Sequence, residues 1–365
     1  MRSGGGRFEM SVRYAVVGAG WISQVAFLPG AGLTGNSKVT AIVSGNPANA
    51  KRLADFHGIE HVFSYEQYDE MLAADHVDAV YIALPNSMHA DYAIRAAGAG
   101  KHVLVEKPLA VSEEECEAMI AAAKEAGVHL MTAYRLHNEP GTVHALDLIR
   151  NGAIGDPRLF ASLFSFMAAP GNHRLQAEHW GGPLQDIGVY CINAVRHAFA
   201  DEPVQVLAVR NHIGDPRFRE VEETIAATLI FPEGRMAQFC ASFGAEQLDM
   251  YRIAGTEGEI AVESAYDFQT DTIVRLTRGK EVTEHRFAQT DQFAGQTGYF
   301  SDCIMANASP EADGEEGLAD VRILKAIEKS AQRGTAQNVE RKPRPCHPTN
   351  EMVRKFEPTT KRLLV

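Results

Sequence analysis

The chain has 365 residues, 45% of them hydrophobic and 22% charged, which is the composition of an ordinary globular protein long enough for two domains. A formal charge of −12 argues against a nucleic-acid partner, and no apolar run approaches the ~18 residues of a membrane-spanning helix. Five scattered cysteines without a CxxC pair, and fourteen histidines without an HExxH or Cys/His cluster, predict neither a disulfide framework nor a metal centre.

In chain order, residues 1–10 are glycine-rich and polar with no apolar core or twin arginine, so no export signal is expected and the expected location is the cytoplasm. Residues 12–17 read as a strand, followed at once by Gly18-Ala19-Gly20-Trp21-Ile22-Ser23. Two glycines between a strand and a helix let the backbone approach a pyrophosphate, and the helix start offers free amides. Gly18, Gly20, Trp21 and Ile22 are therefore cofactor candidates, with Ser23 where glycine or alanine is usual. A strand over 39–43 leads into Ser44-Gly45-Asn46-Pro47. An NAD enzyme usually places Asp or Glu here for the ribose hydroxyls. This chain offers the Ser44 hydroxyl, a helix start at Asn46 whose amides suit an anion, and Lys51 and Arg52 one turn on. The combination predicts NADP(H) over NAD(H).

Strands and helices go on alternating: a strand over 79–83, a helix over 87–99, a strand over 103–105, a helix over 112–126 opened by a Ser112/Glu115 capping box, and a strand over 130–133. This alternation predicts a Rossmann-type α/β domain over 11–135, a doubly wound parallel sheet that binds ligands at the carboxyl ends of its strands. Those ends carry Leu84, Pro85, Asn86 and His89, then Glu106 and Lys107, then Tyr134 and Arg135. All but Tyr134 are further cofactor candidates, and Pro108 holds Lys107 out of the helical region.

After a linking helix over 139–151, strand-length segments at 158–167, 204–212, 224–231, 236–243, 251–254, 272–277 and 282–287 predict a large, mostly antiparallel open sheet in an α+β domain over 136–340. With helices on one face, an apolar opposite face needs a second subunit, hence a homodimer or homotetramer. Within this domain, Gly181-Gly182-Pro183 reads as a loop entering a helix on which Asp186, Tyr190, Asn193 and His197 share a face. Helices over 291–308 and 317–333 follow. The proline-rich tail over 341–365 carries seven Lys/Arg against two Glu, and reads either as a basic strap on its own or a neighbouring subunit, or as a disordered end.

Taken together, GAGWIS, LPNSMHA, GKHVLVEKPLAV, YRLH, GGPLQDIGVYCIN and GEEGLADVRILKAI give the chain a full-length resemblance to the family of glucose–fructose oxidoreductase and inositol dehydrogenase. It is most similar to the former, because Tyr190 stands where inositol dehydrogenases carry histidine. The resemblance implies a sugar or polyol substrate, a cis Lys107–Pro108 bond, and Lys107, Asp186 and Tyr190 meeting at the nicotinamide. Hydride transfer to or from a carbinol carbon needs an acid or base within hydrogen-bond reach of its oxygen. Free tyrosine and lysine titrate near ~10 and ~10.4, and a neighbouring ammonium favours a phenolate. The expected roles are Tyr190 as proton carrier, Lys107 as electrostatic partner and clamp (these two exchangeable), and Asp186 as holder of a sugar hydroxyl. Tyr134, Arg174, Trp180 and Asn193 are the remaining substrate candidates, Trp180 replacing a third glycine of close relatives. Two other functions fit the same frame: a nicotinamide-dependent glycosidase with no net redox change, and a catalytically silent sugar or nucleotide sensor.

Overall fold

Six short strands separated by helical segments form the first sheet: β1 (Val12–Val17), β2 (Ser37–Val43), β3 (His61–Phe63), β4 (Ala79–Ile82), β5 (His102–Val105) and β6 (Leu130–Thr132). Residues 11–212 and 214–365 are described in this computed structural model, so the reading of residues 1–10 falls outside them. The strands are all parallel, in the order β3-β2-β1-β4-β5-β6. Their near-continuous burial follows from cover on both faces. That cover includes α1 (Leu28–Ala31, entered through a π-helical turn over Ser23–Phe27), α2 (Pro47–His57), α3 (Tyr68–Leu72), α4 (His89–Gly98) and α5 (Glu113–Ala126). The order reverses between β1 and β4, which opens a crevice at their carboxyl ends. The three-residue β3 and one-turn α3 are additions to the pattern reading, both too short to show a period.

After α6 (Pro140–Arg150), nine strands build the second sheet: β7 (Pro157–Ser165), β8 (Gln205–Asn211), β9 (Thr224–Ile230), β10 (Met236–Ser242), β11 (Leu248–Gly255), β12 (Glu259–Glu263), β13 (Thr272–Arg278), β14 (Glu281–Phe287) and β15 (Gln337–Asn338). Their order is β14-β13-β12-β11-β7-β10-β9-β8-β15, antiparallel except for the central β7–β10 pair. The pattern reading passed from 254 to 272 without β12, which fills the place between β11 and β13. Phe160 on β7, Val206 on β8 and Ile225 on β9 face inward, towards α7 (Val189–Phe199) and α9 (Gly314–Arg333). The opposite face exposes Leu159, Leu163, Leu207, Val209, Met236 and Leu248, around a groove of about 570 Å³ floored by Cys240 and Met250.

The last helices return to the first sheet. Ser301 on α8 (Gln292–Ala306) hydrogen-bonds the Tyr14 hydroxyl of β1 at 2.8 Å. Gly317 on α9 lies so close to the first domain that a β-carbon there would come within 2.6 Å of Leu109 and Thr132. The tail packs against the body of the chain: Arg341 pairs with Asp201, Arg354 with Asp302, and the Asp291 amide donates to the Phe356 carbonyl. No described helix is long and apolar enough to cross a membrane.

Candidate active site

β1 ends at Gly18, whose φ is +96° and where a β-carbon would lie 2.4 Å from the Ala83 carbonyl oxygen. Both the conformation and the close packing demand glycine. Ser23 donates to the Gly18 carbonyl at 2.6 Å and Gln24 to the Ala19 carbonyl at 2.7 Å, so the small residue in the usual glycine position ties down the turn. The amides of Gly20, Trp21 and Ile22 begin a helix and have no acceptor within it. Nothing lies within 4 Å of a β-carbon placed on Gly20, which leaves an open cradle beside those amides. The turn therefore fits a dinucleotide pyrophosphate. Trp21 is exposed and meets Phe268 edge-on at 6.2 Å.

After β2, the Asn46 side chain caps α2 by accepting from the Asn49 amide at 3.1 Å, while the Ser44 hydroxyl accepts from the Asn46 amide at 3.2 Å. Lys51 forms an exposed pair with Asp55 at 2.7 Å, an interaction weak enough to give way to a phosphate. Arg52 is exposed and forms no ion pair among the described residues.

At the ends of β4 and β5 one expectation is corrected. His89 is fully buried, with its ring nitrogens 2.9 Å from the Pro108 carbonyl and 3.0 Å from the Leu84 carbonyl, so it fastens two loops together and has no nitrogen left for a cofactor. Asn86 donates to the Trp180 carbonyl at 3.0 Å, joining the two lobes. Glu106 accepts from the Tyr81 hydroxyl at 2.6 Å, and burial pushes its carboxyl up. The Lys107–Pro108 bond is cis.

Lys107 Nζ donates to the Asp186 carbonyl at 2.7 Å and to Asp186 Oδ1 at 3.2 Å, and lies 4.8 Å from the centre of the Tyr190 ring. Burial works against its charge, but the neighbouring Asp186 carboxylate, first among the groups that favour the ammonium, outweighs burial and raises the pKa of Lys107. Burial also opposes ionisation of Asp186, yet Arg174 (Nε to Oδ2, 2.9 Å) and Lys107 hold the carboxyl well below the usual range. Asp186 is thus held ionised between two cations. Tyr190 sits with the Arg135 guanidinium 5.0 Å from its ring centre and Phe164 edge-on at 5.8 Å. Arg135 itself donates to Gln292 Oε1 and the Tyr266 carbonyl.

Two substrate candidates are placed elsewhere. Tyr134 donates to Asp320 Oδ2 at 2.5 Å, and the Asn193 amide donates to Glu316 at 2.9 Å and Asp320 at 3.0 Å while its oxygen faces His137 Nε2 at 2.8 Å. Both are buried and saturated by protein. Asn193 does share a helix face with Tyr190, but α9 covers that face beyond its first turn. Trp180 has φ 52°, in the left-handed region that favours glycine. Its indole donates to Glu328 at 2.6 Å and lies under Lys325 at 4.9 Å, so it docks the loop on α9.

The sequence reading missed Tyr266, Phe268 and Gln292, which flank Arg135, and the pair Glu316 and Asp320. The latter left a signal: two acids one turn apart, in line with the apolar stripe of Ile323, Leu324 and Ile327 on the same helix. His137, His197 and Glu316 approach within 4.8 Å of one another, the spacing of a metal site. Each is already engaged: His137 by Glu311 and Asn193, His197 by Glu316 and His347, and Glu316 by Arg196 and Arg344.

The family model described as "Oxidoreductase family, NAD-binding Rossmann fold" matches residues 12–134, and that of the GFO/IDH/MocA C-terminal domain matches 142–261. The D-xylose 1-dehydrogenase [NADP(+)] of Haloarcula marismortui is 32% identical over 88% of this chain and 91% of its own. The aldose-aldose oxidoreductase of Caulobacter crescentus, solved with glycerol, superposes with a TM-score of 0.86 at 35% identity, covering 90% of this chain and 100% of that one. A 3-ketoreductase from Actinomadura kijaniata, solved with NADP and TDP-benzene, gives 0.80 at 31% identity, over 88% and 98% of the two chains. With both domains matched and relatives of this identity spanning nearly its whole length, the chain belongs to the GFO/IDH/MocA oxidoreductase family.

Proposed function

We propose that the protein is an NADP(H)-dependent oxidoreductase that moves a hydride between nicotinamide C4 and a carbinol or carbonyl carbon of a sugar or polyol. In this reading residues 11–135 bind the dinucleotide and 136–340 bind the substrate. The observation that carries it is the meeting of Lys107, which follows β5 of the parallel sheet whose β1 runs into the glycine turn, with Asp186 and Tyr190 from the other lobe. The bound nicotinamide supplies or takes the hydride. Tyr190 gives or takes the proton at the substrate oxygen. Lys107, held charged, stabilises the negative charge that develops there. Asp186 is held too acidic to donate, so it accepts from a neighbouring sugar hydroxyl while Arg174 fixes its other oxygen. The absence of an acid after β2, with Ser44, Asn46 and Arg52 in its place, supports NADP(H), as do the relatives named with that cofactor.

An absorbance screen of aldoses, ketoses and inositols, run in both directions with NADP(H) and NAD(H), tests the proposal. The expected result is turnover with NADP(H), and weaker binding of NADH than NADPH by fluorescence. Sugar release from a glycoside with no net absorbance change identifies the glycosidase instead. Sugar binding without any turnover identifies a sensor.

The same reading includes a homo-oligomer joined through the open face of the second sheet. Six large apolar side chains stand exposed on one face of the sheet there, an arrangement monomers rarely show. Sedimentation should give a dimer or tetramer for the parent protein and a monomer for Leu163→Glu/Val209→Glu. A parent that sediments as a monomer rules the interface out.

A further inference from the structure

The tail enters the buried core at the helix that carries Tyr190. α7 is fixed to α9 through Asn193, Arg196 and His197, all three bonded to Glu316. Around them lie the carboxylates of Glu202, Glu311, Glu316 and Asp320, with Asp313 at the edge. Buried anions of this number require cations, since each left uncompensated is strongly destabilising. α7 supplies one, Arg196. The tail supplies another: Arg344 reaches Glu316 Oε2 at 3.1 Å, Asp313 Oδ1 at 2.9 Å and the Glu311 carbonyl at 2.9 Å. Three residues on, His347 Nδ1 lies 3.0 Å from His197 Nδ1.

The far end of the same segment reaches the other half of the site. The Val365 amide donates to Gln24 Oε1 at 2.9 Å, and Gln24 donates in turn to the Ala19 carbonyl of the glycine turn. Between the two ends the tail is fastened by Arg150 to the Pro348 carbonyl, Asn138 to the Met352 carbonyl and Arg354 to Asp302. One stretch of chain therefore touches the supports of the proton carrier and of the pyrophosphate cradle, without touching either directly.

We propose that residues 341–365 are a positioning strap acting within one subunit, Arg344 setting the helix of Asp186 and Tyr190 and the C-terminal residues setting the glycine turn. The proposal rests on the reading of the site given under Proposed function. It separates the strap into two parts with different kinetic consequences, which a merely structural tail does not have.

The test uses the full chain with Arg344→Gln, Arg344→Lys and a deletion of residues 363–365. Arg344→Gln should lower kcat by about tenfold to a hundredfold, the effect of a small misplacement in a pre-aligned site, with NADPH affinity retained. Arg344→Lys should restore most of it, because it keeps the charge. The deletion should weaken NADPH binding several-fold and leave kcat at saturating cofactor near the parent value. In hydrogen exchange, amides 189–199 should lose protection in Arg344→Gln and not in the deletion. Parent-like kinetics in both variants overturn the strap, as does a joint loss of kcat and affinity that follows the unfolded fraction in thermal melts. If the parent turns over no sugar with NADP(H), the reading of the site fails; unchanged protection of amides 189–199 in Arg344→Gln then overturns the strap by itself.

Discussion

Tyr190→Phe is expected to lower kcat by about a hundredfold to ten-thousandfold, the range for a positioned acid–base group, while NADPH binds as it does to the parent. The substitution removes only the hydroxyl. The ring keeps its contacts with Arg135, Lys107 and Phe164, so neither fold nor cofactor site is disturbed. Lys107→Met is the companion variant and should lose turnover to a similar degree, again with NADPH binding retained. The two differ in pH dependence. Asp186 owes its depressed carboxyl to Arg174 and Lys107, so removing one cation moves that group back towards its ordinary range. The acid limb of kcat/KM should therefore move to higher pH in Lys107→Met and stay in place in Tyr190→Phe. Steady-state kinetics across pH with fluorescence titration of NADPH gives both quantities, and unchanged turnover in the two variants refutes the assignment.

Much of this site was legible because its parts obey local rules. Gly18 is required by a positive φ and by contact with Ala83, which a glycine between strand and helix announces. Lys107 follows a short apolar strand, and proline restricts it whatever the rest of the chain does. Asp186 and Tyr190 stand on one helix just after two glycines. What was not legible depends on distance. Nothing at positions 134 and 193 says that α9, well over a hundred residues further on, will turn Glu316 and Asp320 towards them. A polar helix face looks the same whether it borders a cleft or a buried acid. The tail shows the same limit: its charge marked it as a strap or a free end, and the choice between them depended on partners as far away as Gln24. β12 was lost for another reason, since five residues beside a turn show too little alternation to register.

The largest effect on stability is expected at Arg196. Its side chain is 2% exposed and its guanidinium pairs with Glu202 at 2.7 Å, Glu316 at 2.7 Å and Asp320 at 2.7 Å. Arg196→Met fills most of the volume but leaves those carboxylates facing one another in the interior, which costs about 3–5 kcal/mol. Charge, not packing, is the cause, so the loss should depend on pH in a direction the individual groups dictate. The Glu316 carboxyl is held well below its usual range, burial being outweighed by Arg196 and the neighbouring histidines. A group depressed in this way contributes stability that is present above its unfolded pKa and disappears as pH falls through the folded one. Asp320 has the opposite sign: burial first, then Glu316, raise it, so its contribution is present at low pH and lost as pH rises. Losing Arg196 moves both carboxyls upward from their values in the parent, so urea midpoints of parent and variant should lie closer together at about pH 5 than at about pH 7.5. Arg196→Met/Glu316→Gln/Asp320→Asn should recover part of the loss at the higher pH, because it removes the stranded charges. A destabilisation equal at both pH values, with no recovery in the triple variant, would mean that Arg196 serves as packing and that the acidic cluster carries no net charge.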